Sequence, residues 1–157
     1  EQAGYVWTTL RRLGARPSDL EDLTHDVFVQ VFRQLDQYDV TRPLKPWLFG
    51  FAFRIASKYR RRHAHRFEVA ELGEAVDGQL DPAEQLLANE RRELAWSALD
   101  ELELNRRAVF ILHELDGCPI PEVAEHLGMP LATAYSRLRL AREDFAHAAR
   151  RLRSRQR

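Results

Sequence analysis

The chain has 157 residues, of which 45% are hydrophobic and 31% charged, and this length suits one ordinary domain or two small ones. No apolar stretch approaches the roughly 20 residues that a membrane-spanning helix needs, so we expect no membrane insertion. The single cysteine excludes an internal disulfide framework and is typical of a reducing compartment, which predicts a cytoplasmic protein.

The formal net charge of zero conceals a strong segregation of charge along the chain. Residues 41–66 hold eight basic side chains and no acidic one, and residues 117–157 hold eight basic and four acidic ones. The intervening residues 67–116 hold thirteen acidic and four basic side chains. Two basic blocks separated by an acidic one indicate two anion-binding surfaces.

The pattern of the first half of the chain predicts two helices with a break between them. Ser18 and Asp19 have the chemistry of a helix N-cap, and apolar residues then recur at steps of three and four as far as Leu35. The sequence "DQYDVTRP" interrupts this period. Pro43 and Pro46 suit the first turn of a new helix, because proline lacks the N–H that later turns need.

This new helix, in "KPWLFGFAFRIASKYRRRHAHR", carries most of its aromatic side chains on a core-facing side and its cations on the other. A cationic face with an aromatic ring and a glycine suits single-stranded or melted nucleic acid, because arginines pair with phosphates and an unstacked base rests on the ring. A solvated cationic face is the alternative interpretation. The side with the cations holds Trp47, Gly50, Arg54, Ser57, Lys58 and Arg61.

The second half of the chain follows a predicted linker at residues 67–82, where periodicity is weak and basic residues are absent. A helix is predicted from Pro82 to about Leu102, and another has Asn105 as its N-cap and ends at Asp116-Gly117. A short helix then runs from Pro121 to Gly128, and a last one begins near Leu131.

The end of this half, "PIPEVAEHLGMPLATAYSRLRLARE", has the pattern of a helix-turn-helix, with a plain helical hairpin as the alternative. In its last helix an apolar side is predicted to pack on the domain and a polar side to enter the major groove. The apolar side consists of Leu131, Ala134, Leu138, Ala141 and Phe145. The opposite side consists of Ala132, Thr133, Ser136, Arg137, Arg139 and Leu140.

No residue pattern indicates catalysis, a cofactor or a metal. The sequence has no glycine-rich phosphate loop, no nucleophile paired with a base, and no carboxylate pair placed to act on a substrate. His63 and His65 would point to different faces of a helix, and His113 and His126 lie on predicted helices without cysteine or carboxylate partners at ligand spacing. We therefore expect a protein that is not an enzyme.

Three segments resemble, in order, regions of the bacterial RNA polymerase sigma factors of the extracytoplasmic-function (ECF) group. Regions 2.1–2.2 resemble "DLEDLTHDVFVQVFRQLDQYD" and regions 2.3–2.4 resemble "RPLKPWLFGFAFRIASKYRRR". Region 4 resembles "LDELELNRRAVFILHELDGCPIPEVAEHLGMPLATAYSRLRLARE". The resemblance implies an all-α fold of two small helical domains joined by an acidic linker. The implied ranges are 1–66 for region 2, with its N-terminal part upstream of Glu1, 67–82 for the linker and 83–157 for region 4.

The resemblance implies a noncatalytic initiation subunit that directs core RNA polymerase to a promoter and helps to melt the DNA. Its implied partners are the clamp of the β′ subunit, the flap of the β subunit, promoter DNA and, as in many relatives, an anti-sigma protein. The implied polymerase-binding residues are Asp22, Leu23, Asp26 and Phe28. The implied residues for the −10 element are Trp47, Arg54, Ser57, Lys58, Arg60, Arg61 and Arg62. The implied residues for the −35 element are Thr133, Tyr135, Ser136, Arg137 and Arg139.

An autonomous helix-turn-helix regulator that acts as a dimer is the alternative function. Residues 1–66 would then form a sensor or dimerisation domain. Such a protein would bind a palindrome and would need a ligand pocket in its first domain.

Overall fold

The computed structural model describes residues 1–64 and 82–155, and all regular structure in these residues is helical. The all-α prediction is therefore confirmed for this part of the chain, whereas the predicted linker lies outside the described residues except for Pro82. None of the described helices is long and apolar enough to cross a membrane. The α-helices are α1 (Gln2–Arg12), α2 (Leu20–Arg33), α3 (Leu44–Arg62), α4 (Pro82–Asp100), α5 (Leu104–Phe110), α6 (Ile120–His126) and α7 (Leu131–Arg155).

Helices α1, α2 and α3 pack against one another and form the N-terminal half. Leu10, Val27 and Phe49, one from each helix, are fully buried where the three helices meet. Helix α1 was not predicted from the sequence, although Val6 and Leu10 lie one turn apart on its buried side. Most aromatic side chains of α3 enter the core as predicted, since Phe49 and Phe51 are buried.

Helices α4 to α7 form the C-terminal half, in which α7 packs on α4, α5 and α6. The predicted apolar side of α7 enters the core, and Phe145 stacks on Phe110 with ring centroids 4.9 Å apart. Leu131 is an exception, because 47% of it is exposed in the first turn. The turn between α6 and α7 contains Gly128 at φ 65°, a left-handed conformation that favours glycine.

Asp19 occupies the N-cap position of α2 as predicted, but its side chain makes no capping hydrogen bond, and Asn105 is not the N-cap of α5. The carboxylate of Asp19 instead accepts a hydrogen bond of 2.5 Å from the Tyr59 hydroxyl. At α5 the cap is Glu103, whose two carboxylate oxygens accept from the backbone N–H groups of Asn105 and Arg106. The side-chain amide of Asn105 donates to the same carboxylate, which explains why it is not itself the cap.

The two halves are packed together and share one continuous hydrophobic core. Helix α3 of the N-terminal half contacts α6 of the C-terminal half. The hydroxyl of Tyr5 donates to Asp116 at 2.7 Å, and Arg42 forms an ion pair with Glu125 at 2.7 Å. These contacts join residues that the sequence analysis had assigned to separate domains.

Candidate nucleic-acid and polymerase interfaces

Trp47 lies on α3 between two other aromatic rings. Its ring centroid is 4.8 Å from that of Tyr38 and 4.8 Å from that of Phe51, and the ring is half-buried. The Tyr38 hydroxyl donates to the Arg42 carbonyl at 2.7 Å, which fixes the loop before α3. Sequence reasoning missed Tyr38, although an aromatic residue inside the polar break "DQYDVTRP" is a usable signal. The arrangement holds Trp47 in a fixed orientation with one part of its ring exposed.

Arg54 follows Trp47 along the same side of α3. Its guanidinium carbon lies 4.6 Å from the centre of the Phe51 ring, a cation–π contact. Partial burial lowers the pKa of Arg54, which remains a cation at neutral pH. One turn further, the Ser57 hydroxyl donates to the carbonyl of Phe53 at 2.8 Å, so it is engaged within the helix. This side of α3 therefore presents a ring and a guanidinium that neighbouring rings hold in place.

The basic run at the end of α3 divides between two directions. Lys58, Arg61 and Arg62 are exposed. Arg60 turns toward the N-terminal helix, where its Nη1 donates to the carbonyl of Leu13 at 3.4 Å. Successive residues on a helix point about 100° apart, so Arg60, Arg61 and Arg62 do not all point in the same direction.

The predicted DNA-binding and polymerase-binding residues meet at a groove between α2 and α3. The groove has a volume of about 570 Å³. Lys58 and Arg62 of α3 line it together with Asp22 and Asp26 of α2, so cations and carboxylates share its walls. A charged partner that is attracted to the residues on one wall would therefore be repelled by the residues on the other wall.

An exposed apolar stripe runs along α2 and into the turn that follows it, on a different side of the helix from these carboxylates. Phe28, Phe32 and Leu35 recur at steps of four and three residues, which places them on one side. Phe28 is half-buried, whereas Phe32 is 72% and Leu35 is 50% exposed. The sequence analysis assigned Leu35 to the core period and did not single out Phe32. Leu23, in contrast, is buried, so its side chain supports the helix from within.

The first turns of α7 border a groove of about 490 Å³. Thr133, Ser136 and Arg137 line it, whereas Tyr135 and Arg139 do not, although both are exposed. Arg139 forms an ion pair of 3.0 Å with Glu143, four residues further along the helix. Leu140, Ala132, Glu103 and Arg106 complete the lining of the groove.

Sequence reasoning missed Glu103 and Arg106 as part of this groove. Arg106 is partly exposed and forms an ion pair of 2.7 Å with Asp144 of α7. Its neighbour Arg107 is only 1% exposed, where it donates to Asp100 and to the carbonyl of Arg12. The arginine pair was visible in the sequence, but only the packing of α5 decides which of the two faces the groove.

The described residues offer no group of histidines, cysteines and carboxylates that could hold a metal ion. Cys118 is buried, and this burial raises the pKa of its thiol to about 12. The thiol is therefore protonated at neutral pH and is a poor nucleophile.

Two family models match the chain, each in one half. Residues 2–66 match sigma-70 region 2, and residues 92–145 match sigma-70 region 4. The cationic side of α3 lies within the first match, and the groove along α7 lies within the second.

Several known proteins are similar in sequence. The chain is 33% identical over 142 residues to the RNA polymerase sigma factor NccH of Alcaligenes xylosoxydans xylosoxydans, covering 84% of this chain and 74% of that protein. It is 27% identical over 141 residues to the RNA polymerase sigma factor CnrH of Cupriavidus metallidurans, with the same two coverages of 84% and 74%. It is also 27% identical over 135 residues to the ECF RNA polymerase sigma-E factor of Escherichia coli K12, covering 80% of this chain and 71% of that one.

Two solved structures resemble the fold over nearly the whole chain. The sigma factor RpoE in complex with the anti-sigma factor NepR, from Bartonella quintana, aligns with a TM-score of 0.73 at 21% identity, covering 94% of this chain and 91% of that one. At this identity the likeness shows a shared fold. CnrH in complex with the cytosolic domain of CnrY aligns with a TM-score of 0.59 at 25% identity, covering 91% of this chain and 79% of that one.

Proposed function

The chain belongs to the extracytoplasmic-function group of bacterial sigma factors, and from this premise we propose that it binds core RNA polymerase and recognises both the −10 and the −35 promoter elements. In this proposal residues 1–66 act as region 2, residues 67–82 as the linker and residues 83–157 as region 4. The protein works in the cytoplasm as a noncatalytic subunit. The observation that carries the proposal is the occurrence of two basic surfaces in one chain, each inside the matching family region.

The −10 element is captured as an opened strand on α3. Support comes from the ring of Trp47, which two neighbouring rings hold in place, and from the cations that follow it. A base released from the duplex can rest on such a ring, while phosphates pair with the arginines. The residues proposed for this contact are Trp47, Arg54, Lys58, Arg61 and Arg62, with Ser57 and Arg60 in supporting positions.

The −35 element is read by α7 in the major groove. Thr133, Ser136 and Arg137 share the groove that Glu103 and Arg106 extend, so one concave surface offers both hydrogen-bond donors and acceptors. An arginine can donate two hydrogen bonds to the major-groove edge of guanine, and hydroxyl groups can hydrogen-bond to bases or phosphates. Tyr135 and Arg139 lie outside the groove and suit the flanking backbone.

Core polymerase binds along α2. The exposed stripe of Phe28, Phe32 and Leu35 supports an apolar contact surface for a partner, while Asp22 and Asp26 lie on another side of the same helix. We assign this surface to the clamp of the β′ subunit and the C-terminal half to the flap of the β subunit. An anti-sigma protein is a further proposed partner, because the similar solved structure of RpoE is a complex with the anti-sigma factor NepR.

Transcription in vitro tests the proposal directly. Core polymerase and this protein together should produce transcripts from a defined set of genomic start sites, and sequencing of the transcripts would give the promoter. Core polymerase alone should produce none of them. Tight binding of duplex DNA by the protein alone, with no added transcription, would favour the dimeric regulator instead. The match of residues 2–66 to region 2 already argues against a sensor domain at that place.

The cations at the end of α3 should contribute unequally to the salt dependence of promoter binding. We expect Arg61→Ala and Arg62→Ala each to reduce the slope of log K against log salt by about 0.7 for a contact to single-stranded phosphate, because one counterion fewer is released. Arg60→Ala is the matched control, since its guanidinium binds the Leu13 carbonyl. Titration of polymerase–promoter complexes at several salt concentrations measures the slopes. Equal changes in all three variants would contradict this division of the run.

Arg137 should matter more than Arg139 for the −35 element. Arg137→Ala removes a guanidinium from the groove, and we expect about a tenfold loss of transcription from a −35-dependent promoter. Arg139→Ala should cost less, because Arg139 is already paired with Glu143 outside the groove. Both variants should bind core polymerase normally in a pull-down. A loss of core binding in either one would mean that this side of α7 faces the polymerase.

A further inference from the structure

Leu140 is an apolar side chain on the polar side of α7. It is half-buried and lines the groove along α7 together with Thr133, Ser136 and Arg137. In the part of the chain that the structure describes, Leu140 takes no part in the hydrophobic core, whereas Leu138 is only 5% exposed within that core. The apolar surface of Leu140 is therefore directed to whatever this groove binds.

The position of Leu140 along α7 places it beside the groups that we assign to the −35 element. It follows Ser136 by four residues and Arg137 by three, so it lies one turn beyond both on the same side of the helix. Helical side chains lean toward the N-terminus, which brings Leu140 toward these two residues. It lies about 10 Å further along the helix axis than Thr133, a distance of roughly three base-pair steps of DNA. A duplex whose base edges meet Thr133 and Arg137 therefore extends as far as Leu140.

The guanidinium of Arg137 points away from Leu140. Its Nη1 atom donates to the sulfur of Met129 at 3.7 Å, in the turn before α7. Arg137 therefore extends toward the start of the helix, whereas Leu140 lies in the third turn. The other arginine of the groove, Arg106, forms an ion pair of 2.7 Å with Asp144. The groove thus offers DNA two oriented cations and, separately, the apolar surface of Leu140.

The chemistry of the major groove identifies the group that suits a leucine. A leucine side chain neither donates nor accepts hydrogen bonds, so a phosphate or a polar base edge placed against it would lose water without gaining a partner. The apolar group that base pairs expose in the major groove is the 5-methyl group of thymine. We propose that Leu140 recognises this methyl group at one thymine of the −35 element and so makes that position specific for thymine. The inference rests on the proposed role of α7 in reading this element.

Replacing single thymines by uracil tests this contact, because the exchange removes the methyl group and keeps every hydrogen bond of the base pair. The probe is the promoter identified by transcription with core polymerase, and uracil is placed in turn at each thymine of both strands of its −35 element. We expect one position at which uracil weakens binding of the complex of this protein with core polymerase about fourfold, as burial of one methyl-sized group predicts. Competition against the unmodified promoter measures this ratio.

Variants of Leu140 assign the effect to this side chain. Leu140→Ala should bind the thymine and uracil promoters with a ratio near one, and its thermal unfolding should change little because the side chain lies outside the core. Leu140→Met keeps an apolar side chain of similar volume and should keep the preference for thymine. Leu131→Ala is the matched control and should retain the full fourfold ratio, since Leu131 is exposed on α7 but does not line the groove.

The outcomes separate this contact from the proposed function. Uracil that has no effect at any position, or the same effect in Leu140→Ala as in the unmodified protein, would overturn the contact and leave the role of α7 in place. Exchange of the whole −35 element for an unrelated sequence gives the second readout. If that exchange left promoter binding unchanged, α7 would not read the element, and the role of Leu140 would fail with it.

Discussion

Replacing Phe32 with alanine should weaken binding to core polymerase by about 30-fold and leave the folded state intact. The expected loss corresponds to about 2 kcal/mol, the size of an interface hot spot. Because Phe32 is 72% exposed, its truncation creates no cavity in the core. Its contribution to folding should therefore stay within about 0.5 kcal/mol. Phe32 and its two apolar neighbours form a contiguous exposed patch, and such patches mark surfaces that a partner covers.

Tyr135 provides a matched control for this experiment. It is also an exposed aromatic residue, 53% accessible, but it lies on α7. Tyr135→Ala should keep normal affinity for core polymerase and lose activity at −35-dependent promoters. Competition binding against core polymerase and thermal unfolding of each variant measure the two effects. Normal core affinity in Phe32→Ala together with a loss in Tyr135→Ala would exchange the assignments of the two surfaces.

The helix-turn-helix could be predicted because its signals are local. Gly128 adopts the left-handed conformation that its place in the turn requires, and the apolar side of α7 follows a clear helical period. The same reasoning failed at Asn105, where the residue type suits an N-cap but the neighbouring Glu103 takes both backbone N–H groups. The preference of a residue type for the N-cap position does not predict which of two nearby residues caps the helix.

The sequence also did not predict which apolar residues of this region are exposed. The period through α2 was extended to Leu35 as if all its members were core. Periodicity reports which side of a helix is apolar, but it does not distinguish burial within the chain from burial against another protein. In the part of the chain that the structure describes, Leu35 and Phe32 remain largely exposed, and only the structure shows this.

The packing of the two halves was beyond sequence reasoning altogether. Arg42 and Glu125 are 83 positions apart, and Tyr5 and Asp116 are 111 positions apart. The sequence marks Arg106 and Arg107 as equivalent cations, whereas one borders the groove along α7 and the other is buried against Arg12. Such assignments depend on how helices dock, because contacts over these distances leave no period in a single sequence.

Trp47 should be the most important single residue for promoter opening. Trp47→Ala removes the ring on which a released base is proposed to stack, a contact that contributes about 1–3 kcal/mol. We therefore expect a roughly 10- to 100-fold fall in the yield of open complex, with normal binding to core polymerase. Permanganate reactivity of thymines in the melted promoter segment would measure the yield.

Two further variants separate stacking from folding in this experiment. Trp47 also packs on Tyr38 and Phe51, so alanine removes some contacts that stabilise the fold. Trp47→Phe keeps a ring between these neighbours and should retain much of the activity, because any aromatic face can support a base. Trp96→Phe, at a half-buried tryptophan on α4 beside Arg11, should leave promoter opening unchanged. A loss in Trp47→Ala that thermal unfolding or core binding fully accounts for would remove the stacking role, and α3 would then bind the strand by charge alone.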